Sequence, residues 1–587
     1  MSTIEVEKDM YQRSADDAWS AFIRTRFESG GDLGHSGRAA RLSRLEVELE
    51  TMQKYFAVAK RHMNACTGAG SLPPEILGII FSFAQEHWQP TCIYHWEEPR
   101  GSPPRISYGL GWIYLTHVCS SWRKAALGTS SLWQTIKCSN LPLSMSTDIL
   151  TRSARLPLRL YVGSYHKGTS YDEVENWLSW PILRRTSLLH IENPSVHREG
   201  TQDSEGWFAI LMQPMPILES LSISSNVDDE PIRLPDDFWT NNRPMLTNLR
   251  LRNCLLPNWN TPVLSDLITE LSLQMKVLYD GDRSLPTTTE VRDIFRRLTS
   301  LKSLSLENFW PRMDLPSPDP FDFYPTLEYF DFTFSMQSSM YKTHYTFFWS
   351  HFKVPAVTAL SIEGHHNWDE DEDNLFRLVE PFLSVDDVSS PAMELVLNST
   401  TILLSYVEQP LKALKSPSWH LPYHAQAHRT QSSRLLRCKD SVVKILSPLL
   451  PLNSLKTIFV AADAMKQLER APPDGGWSQK LGAARSVTRI STHFPQCLSL
   501  LEALVEKDVI GNFALFPLLE TLVLHKDTQV NIAVRSTSVD IILLELLAIR
   551  LEHNAPIREL LVDWRLELLP IWSKVDRNTT KVSFFKP

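Results

Sequence analysis

The chain has 587 residues, with 59 Lys and Arg against 67 Asp and Glu, a formal net charge of -8, and 43% hydrophobic residues. That length accommodates roughly three or four domains or one long repeat array, and the hydrophobic share excludes a disordered chain, because enough apolar surface is there to offset the entropy of ordering. The acidic balance argues against generic nucleic-acid or anionic-membrane binding, both of which need a basic field.

Leucine is abundant at 80 residues and glycine scarce at 21, which disfavours collagen-like, linker-like and glycine-hinged cofactor folds. The seven cysteines (Cys66, Cys92, Cys119, Cys138, Cys254, Cys438 and Cys497) form no Cys-x-x-Cys pair and have no histidine at zinc-ligand spacing. Such a set reads as reduced thiols, which predicts a cytoplasmic or nuclear protein. The first residues are charged and lack an apolar core, so no signal peptide is expected. The apolar run Ile541 to Ile549 is too short to span a bilayer and contains Glu545.

Residues 1–36 are polar and end in a Gly- and Ser-rich stretch, predicting a flexible N-terminus. From 37 to 66, Leu42, Leu45, Leu49, Met52, Phe56, Ala59 and Met63 alternate spacings of three and four. This is a heptad seam, open to two readings: a short coiled coil forming a homodimer through residues 42–63, or one amphipathic helix packed on its own domain.

A helical module is predicted over 71–138. Pro73 and Pro74 stand where a first helical turn needs no backbone donors, and Ile76, Leu77, Ile80 and Phe81 come next on one expected helical face. A loop-like insert rich in Pro, Trp and charge occupies residues 85–114. Leu115, Val118, Cys119, Trp122 and Ala126 then share a second helical face, with Leu132, Trp133 and Ile136 opening a further short element.

From 139 to 587 a second pattern recurs, Leu-x-x-Leu-x-Leu with conservative replacements. It appears at Leu218/Leu221/Ile223, Leu246/Leu249/Leu251, Ile268/Leu271/Leu273, Leu301/Leu304/Leu306, Leu327/Phe330/Phe332 and Val357/Leu360/Ile362. It continues at Ala392/Leu395/Leu397, Leu455/Ile458/Val460, Leu519/Leu522/Leu524 and Ile557/Leu560/Val562. The spacing from Leu218 to Val357 averages about 28 residues, inside the leucine-rich-repeat range. The intervals from Ala392 to Leu455 and on to Leu519 are near double, as if each hid a degenerate repeat. One unit cannot close a core alone, whereas a stack can, so a solenoid with a concave strand face is expected. An ordinary α/β domain with Leu-rich strands is the alternative.

Three pieces of the helical module, Leu72 to Leu77, Val118 to Arg123 and Leu132 with Trp133, resemble in order the F-box pattern. The segment from Leu141 to Val162 resembles the one that succeeds the F-box in the large families of mushroom-forming fungi. The insert is a departure from the minimal module and could mask its docking face. In the repeats, Asn226 and Cys254 occupy the ladder position where the leucine-rich-repeat family carries Asn or Cys. The resemblance implies an α/β chain: a small helical F-box module followed by an irregular leucine-rich-repeat solenoid, with an N-terminal helix.

The resemblance also implies a substrate-recognition subunit of a Skp–cullin–F-box ubiquitin ligase, in which the F-box docks the Skp adaptor, and through it the cullin, while the repeats bind an unidentified protein substrate. The alternative is a scaffold or regulator acting outside a ligase. The adaptor-binding residues implied are Leu72, Pro73, Pro74, Glu75, Ile76, Leu77, Ile80, Phe81, Val118, Cys119, Trp122, Arg123, Leu132 and Trp133, some of them serving as the module's own core.

No catalytic, cofactor or metal residues are expected. The stretch Gly163 to Ser170 has phosphate-loop spacing, but Thr169 stands where the phosphate-binding Lys belongs. The acidic run Asp369 to Asp373, beside His365 and His366, lacks the glycine turn and frame of a calcium loop and reads as a solvated loop.

Overall fold

The computed structural model describes residues 3–28, 35–95, 105–163, 175–194, 207, 209–226, 231–235, 245–256, 258–275, 285–309, 311–312, 321–335, 352–354, 358–365, 392–406, 433–438, 450–470, 476–494, 496–526 and 536–586. The chain is a mixed α/β protein that divides into two compact units, Met1–Leu156 and Pro157–Pro587.

The first unit opens with α1 (Thr3–Ile23) and the long α2 (His35–Ala65). Arg41 donates to the carbonyl of Phe27, and Arg26 pairs with Glu48, so the turn after α1 folds back onto one flank of α2. Two short helices come next, α3 (Pro74–His87) and α4 (Ser120–Gly128). Pro73 caps α3 and Pro74 fills its first position, where a missing N–H costs nothing. Leu77 and Phe81 point inward from α3 and are buried with Ala125, Ala126, Leu132 and Trp133. The Phe81 and Trp122 rings lie 5.3 Å apart, and Trp112 and Trp133 lie 4.9 Å apart. Trp133 satisfies its buried N–H on the Ala126 carbonyl at 2.8 Å.

This core extends beyond residue 138. In α5 (Ser146–Arg152), Ile149 is buried and the Arg152 guanidinium lies 4.7 Å from the Trp133 ring centre, so residues 139–156 belong with the first unit.

The insert is more ordered than its composition suggests. Strands β1 (Thr91–His95) and β2 (Arg105–Gly109) pair antiparallel, from Thr91 with Gly109 to His95 with Arg105. Strand formers Ile93, Ile106 and Tyr108 outweigh the flanking prolines here. Trp112 donates to the Trp88 carbonyl at 2.7 Å and Asn140 to that of Pro90 at 2.9 Å, which ties the hairpin base to the module. At Gly111, with φ of 56°, a Cβ would meet the Gln89 carbonyl carbon at 2.5 Å, so only glycine fits this corner. The short β3 (Thr135–Lys137) comes after it.

The second unit is built on a ladder of strands. It begins with β4 (Leu158–Gly163), β5 (Thr186–Glu192) and β6 (Ser220–Ser224), and runs on through β8 (Asn248–Arg252), β10 (Glu270–Gln274), β11 (Ser303–Glu307), β13 (Tyr329–Ser335), β15 (Ala359–His365) and β18 (Ser433–Cys438). Each pairs with the next in parallel, giving nine parallel strands. The two-residue strands β7 (Ile232–Arg233), β9 (Cys254–Leu255), β12 (Phe321–Asp322) and β14 (Phe352–Lys353) form two minor parallel pairs, β7 with β9 and β12 with β14.

Among the described strands of this unit, one interrupts the parallel order. Strand β17 (Thr401–Ser405) lies antiparallel between β18 and β16 (Glu394–Leu397). Asn398 makes the β16–β17 turn, its Oδ1 accepting from the Thr400 N–H. Parallel pairing then resumes from β16 through β19 (Thr457–Val460), β20 (Arg489–Phe494), β21 (Thr521–Lys526), β22 (Glu559–Asp563) and β23 (Lys581–Phe585).

All ten Leu-x-x-Leu-x-Leu motifs place their last two apolar residues on a strand, and those residues are buried. Each side chain removed from water contributes about 1.5–3 kcal/mol. The long interval from Leu455 to Leu519 holds β20, whose inward row carries Ile490 and then Thr492, a departure that hides it from the motif. Between strands, one carbonyl accepts two N–H groups of the following unit: Glu219 from Thr247 and Asn248, Thr247 from Thr269 and Glu270, Thr269 from Lys302 and Ser303, and Lys302 from Glu328 and Tyr329. The same device recurs at Met393, Lys456, Thr488 and Glu520.

Strand exits use left-handed asparagines. Asn193, Asn253 and Asn308 have φ of 46°, 51° and 50°, a region asparagine tolerates better than most residues. Of the two ladder residues expected from sequence, Cys254 is buried with its thiol directed at the Ile223 carbonyl, while Asn226 is exposed and the Asn253 side chain donates to its carbonyl.

Candidate partner-docking site

Helix α3 carries two apolar faces rather than one. Leu77 and Phe81 form its inner face. Ile76, Ile79, Ile80 and Phe83, at helical spacings of three, four and seven, form an outer stripe, with Ile79 55% and Phe83 63% exposed. Soluble surfaces rarely expose four large apolar residues side by side without use.

The fourteen residues expected from sequence thus separate. Leu77, Phe81, Leu132 and Trp133 are core, whereas Ile76 and Ile80 lie on the outer stripe and Pro73, Pro74 and Glu75 are exposed in the first turn beside it. Val118, just before α4, and Arg123, in its first turn, are exposed, and Arg123 Nε donates to the Thr116 carbonyl at 2.8 Å. Leu72, Cys119 and Trp122 are half-buried, with Trp122 donating to the Ala69 carbonyl at 3.3 Å. Ile79 and Phe83 were missed; the i, i+3, i+4, i+7 spacing with Ile76 and Ile80 was the available signal. The described part of the insert forms the β1–β2 hairpin after α3, and the outer stripe is exposed.

Cys119 caps α4. Burial alone would raise its thiol, but hydrogen bonds from the Ser121 hydroxyl and the backbone N–H groups of Trp122 and Ser121 together hold it below the usual cysteine value. Burial pushes Cys254 and Cys497 up to about 12. Brief iodoacetamide treatment of the native chain is therefore expected to label Cys119 and the exposed Cys66 at least about tenfold faster than Cys138, Cys254 or Cys497, as read by peptide mass spectrometry.

A second surface lies on the sheet. Opposite the buried leucines, one register row runs Tyr161, His190, Ser222, Arg250, Ser272, Ser305, Asp331 and Ser361, polar at every step and at least partly exposed. Burial, and then the Arg250 charge, hold His190 below its ordinary value. Burial raises Glu192 on the neighbouring row, against the pull of Arg252. Further along, the same row becomes buried, through Phe459, Ser491, Val523 and Leu561. There the Phe459, His493, His525 and Phe585 rings cluster, and Ser491 Oγ lies 2.8 Å from His525 Nε2.

Among the described residues, no group of three or more His, Cys, Asp or Glu is arranged to hold a metal ion, and no helix is long and apolar enough to cross a membrane. The acidic run Asp369 to Asp373 lies outside the described residues, as does the phosphate-loop-like stretch beyond Gly163. No protein-family model matches the chain, and no curated protein matches it.

Proposed function

We propose that the chain is the substrate-recognition subunit of a Skp–cullin–F-box ubiquitin ligase, its first unit an F-box-like module that docks the Skp adaptor and its second an irregular leucine-rich-repeat solenoid that holds the target protein. The observation that carries this reading is the outer stripe of α3, Ile76, Ile79, Ile80 and Phe83, presented on a helix that Leu77 and Phe81 fix from behind. An exposed apolar stripe on a rigid helix suits helix-in-groove docking. The polar register row from Tyr161 to Ser361 supports a target-binding role for the sheet face, since it offers donors and acceptors without a closed core of its own. Catalysis in such an assembly is by proximity: the receptor holds the target near a charged conjugating enzyme and raises its effective concentration. This reading places the protein in the cytoplasm or nucleus. The open stripe favours it over a scaffold acting outside a ligase, for which a masked docking face would be the natural sign.

The test is co-purification of the full chain with the Skp adaptor, beside a variant lacking residues 71–138. Capture by the full chain and its loss in the deletion are expected. A folded full chain that captures no adaptor would overturn the proposal.

A further inference from the structure

Helix α2 presents a second unpartnered apolar row, and its geometry selects a different occupant. Leu42, Leu49, Phe56 and Met63 repeat every seven residues, and all four are between 51% and 63% exposed. The neighbouring seam residues Leu45 and Met52 are half-buried, on the side of the helix where Arg41 and Glu48 are held by the turn after α1. The intramolecular packing therefore covers one flank of the heptad and leaves open the row of Leu42 with the adjoining flank of Glu46, Gln53 and Lys60.

We propose that this open face is the interface of an antiparallel homodimer with its two-fold axis between Met52 and Gln53. A second copy is selected by self-complementarity. Turned end for end about this axis, the face sets Leu42 against Met63 of the second copy and Leu49 against Phe56, and symmetry supplies the reciprocal pairs. The same operation brings Glu46 to within one residue, about 1.5 Å, of the level of Lys60 twice, and Gln53 beside its own symmetry mate. A parallel pairing through this face would instead lay the apolar row of one copy against the Glu46, Gln53 and Lys60 row of the other, so the pattern selects the antiparallel direction. Lys60 already lies over its own Phe56 ring at 4.6 Å, a position from which its ammonium reaches the rim of the seam. The span from 42 to 63 is about 32 Å of helix, enough for a continuous two-helix contact. This inference is independent of adaptor binding.

Light scattering on the full chain over a range of concentrations tests it. A dimer of the 67.2 kDa chain is expected at micromolar concentration. Leu49→Glu with Phe56→Glu is expected to give a monomer with unchanged far-ultraviolet circular dichroism. Glu46→Lys alone is expected to weaken the dimer by about fivefold or more, and Glu46→Lys with Lys60→Glu to restore it. A wild-type chain that stays monomeric at 100 μM, a dimer indifferent to Leu49→Glu/Phe56→Glu, or a charge swap that fails to rescue would each overturn the proposal.

Discussion

Replacing Ile76 and Ile80 together by Asp is expected to abolish capture of the Skp adaptor without unfolding the chain. Both side chains lie on the outer stripe of α3 and contribute little to the module's own core, which rests on Leu77, Phe81, Leu132 and Trp133. If the stripe docks into an apolar groove, each isoleucine contributes about 1.5–3 kcal/mol of burial. Losing two, and desolvating two carboxylates as well, lowers affinity by at least about 100-fold. Leu77→Asp is the contrasting variant. It drives a carboxylate into the space between α3 and Trp133, so it is expected to lose adaptor capture together with the thermal transition of the first unit. Comparing the pair separates docking from folding. Equal capture by wild type and Ile76→Asp/Ile80→Asp, with both chains folded, would remove α3 from the docking face.

The distinction between these two variants was only half legible in the sequence. A helix with apolar residues at 76, 77, 80 and 81 announces itself by period, but the period does not say which of its faces turns inward. That is decided by Trp122, Leu132 and Trp133, which approach from some forty residues on. The ladder was more readable, because strands with one buried face alternate apolar and polar residues. Each Leu-x-x-Leu-x-Leu motif therefore marked its own strand.

Where burial demanded something other than leucine, the signal faded. Thr492 replaces the expected apolar residue on β20, and the antiparallel β17 carries alternation but no motif. The shared chemistry of the polar row from Tyr161 to Ser361 emerges only once the register is known, because it is read across eight strands rather than along any one of them. The heptads on α2 were visible from their spacing. The structure adds that the Leu42 row is exposed while Leu45 and Met52 are half-buried, the asymmetry on which the proposed dimer rests.

The largest expected loss of stability lies in the second unit, at Arg550. Its helix, Ser536–Glu552, packs beside Leu498–Ala503, and the Arg550 side chain has no exposed surface. Among the described residues no carboxylate pairs with it. Instead Nη1 donates to the Phe516 carbonyl at 2.9 Å, Nη2 to Leu515 at 2.9 Å and Leu504 at 3.1 Å, and the guanidinium lies 4.4 Å from the centre of the Phe513 ring. Burial pulls the group down to about 10, which still leaves it cationic at neutral pH. The cation thus closes three carbonyls of a segment that has left regular structure, at a point where Phe516 holds a left-handed φ of 46°.

Arg550→Met keeps much of the apolar bulk but leaves those carbonyls buried without donors, at about 1–3 kcal/mol each before relaxation. A net loss on the order of 4 kcal/mol is expected, a large part of the stability of a typical domain. Arg550→Lys keeps the charge but supplies a compact ammonium in place of the planar fork, so it is expected to recover only part of the loss. Urea titration followed by circular dichroism measures both. The expected order is wild type, Arg550→Lys, Arg550→Met. A Met variant as stable as wild type would show that the segment from Leu504 to Phe516 is held by its apolar packing alone.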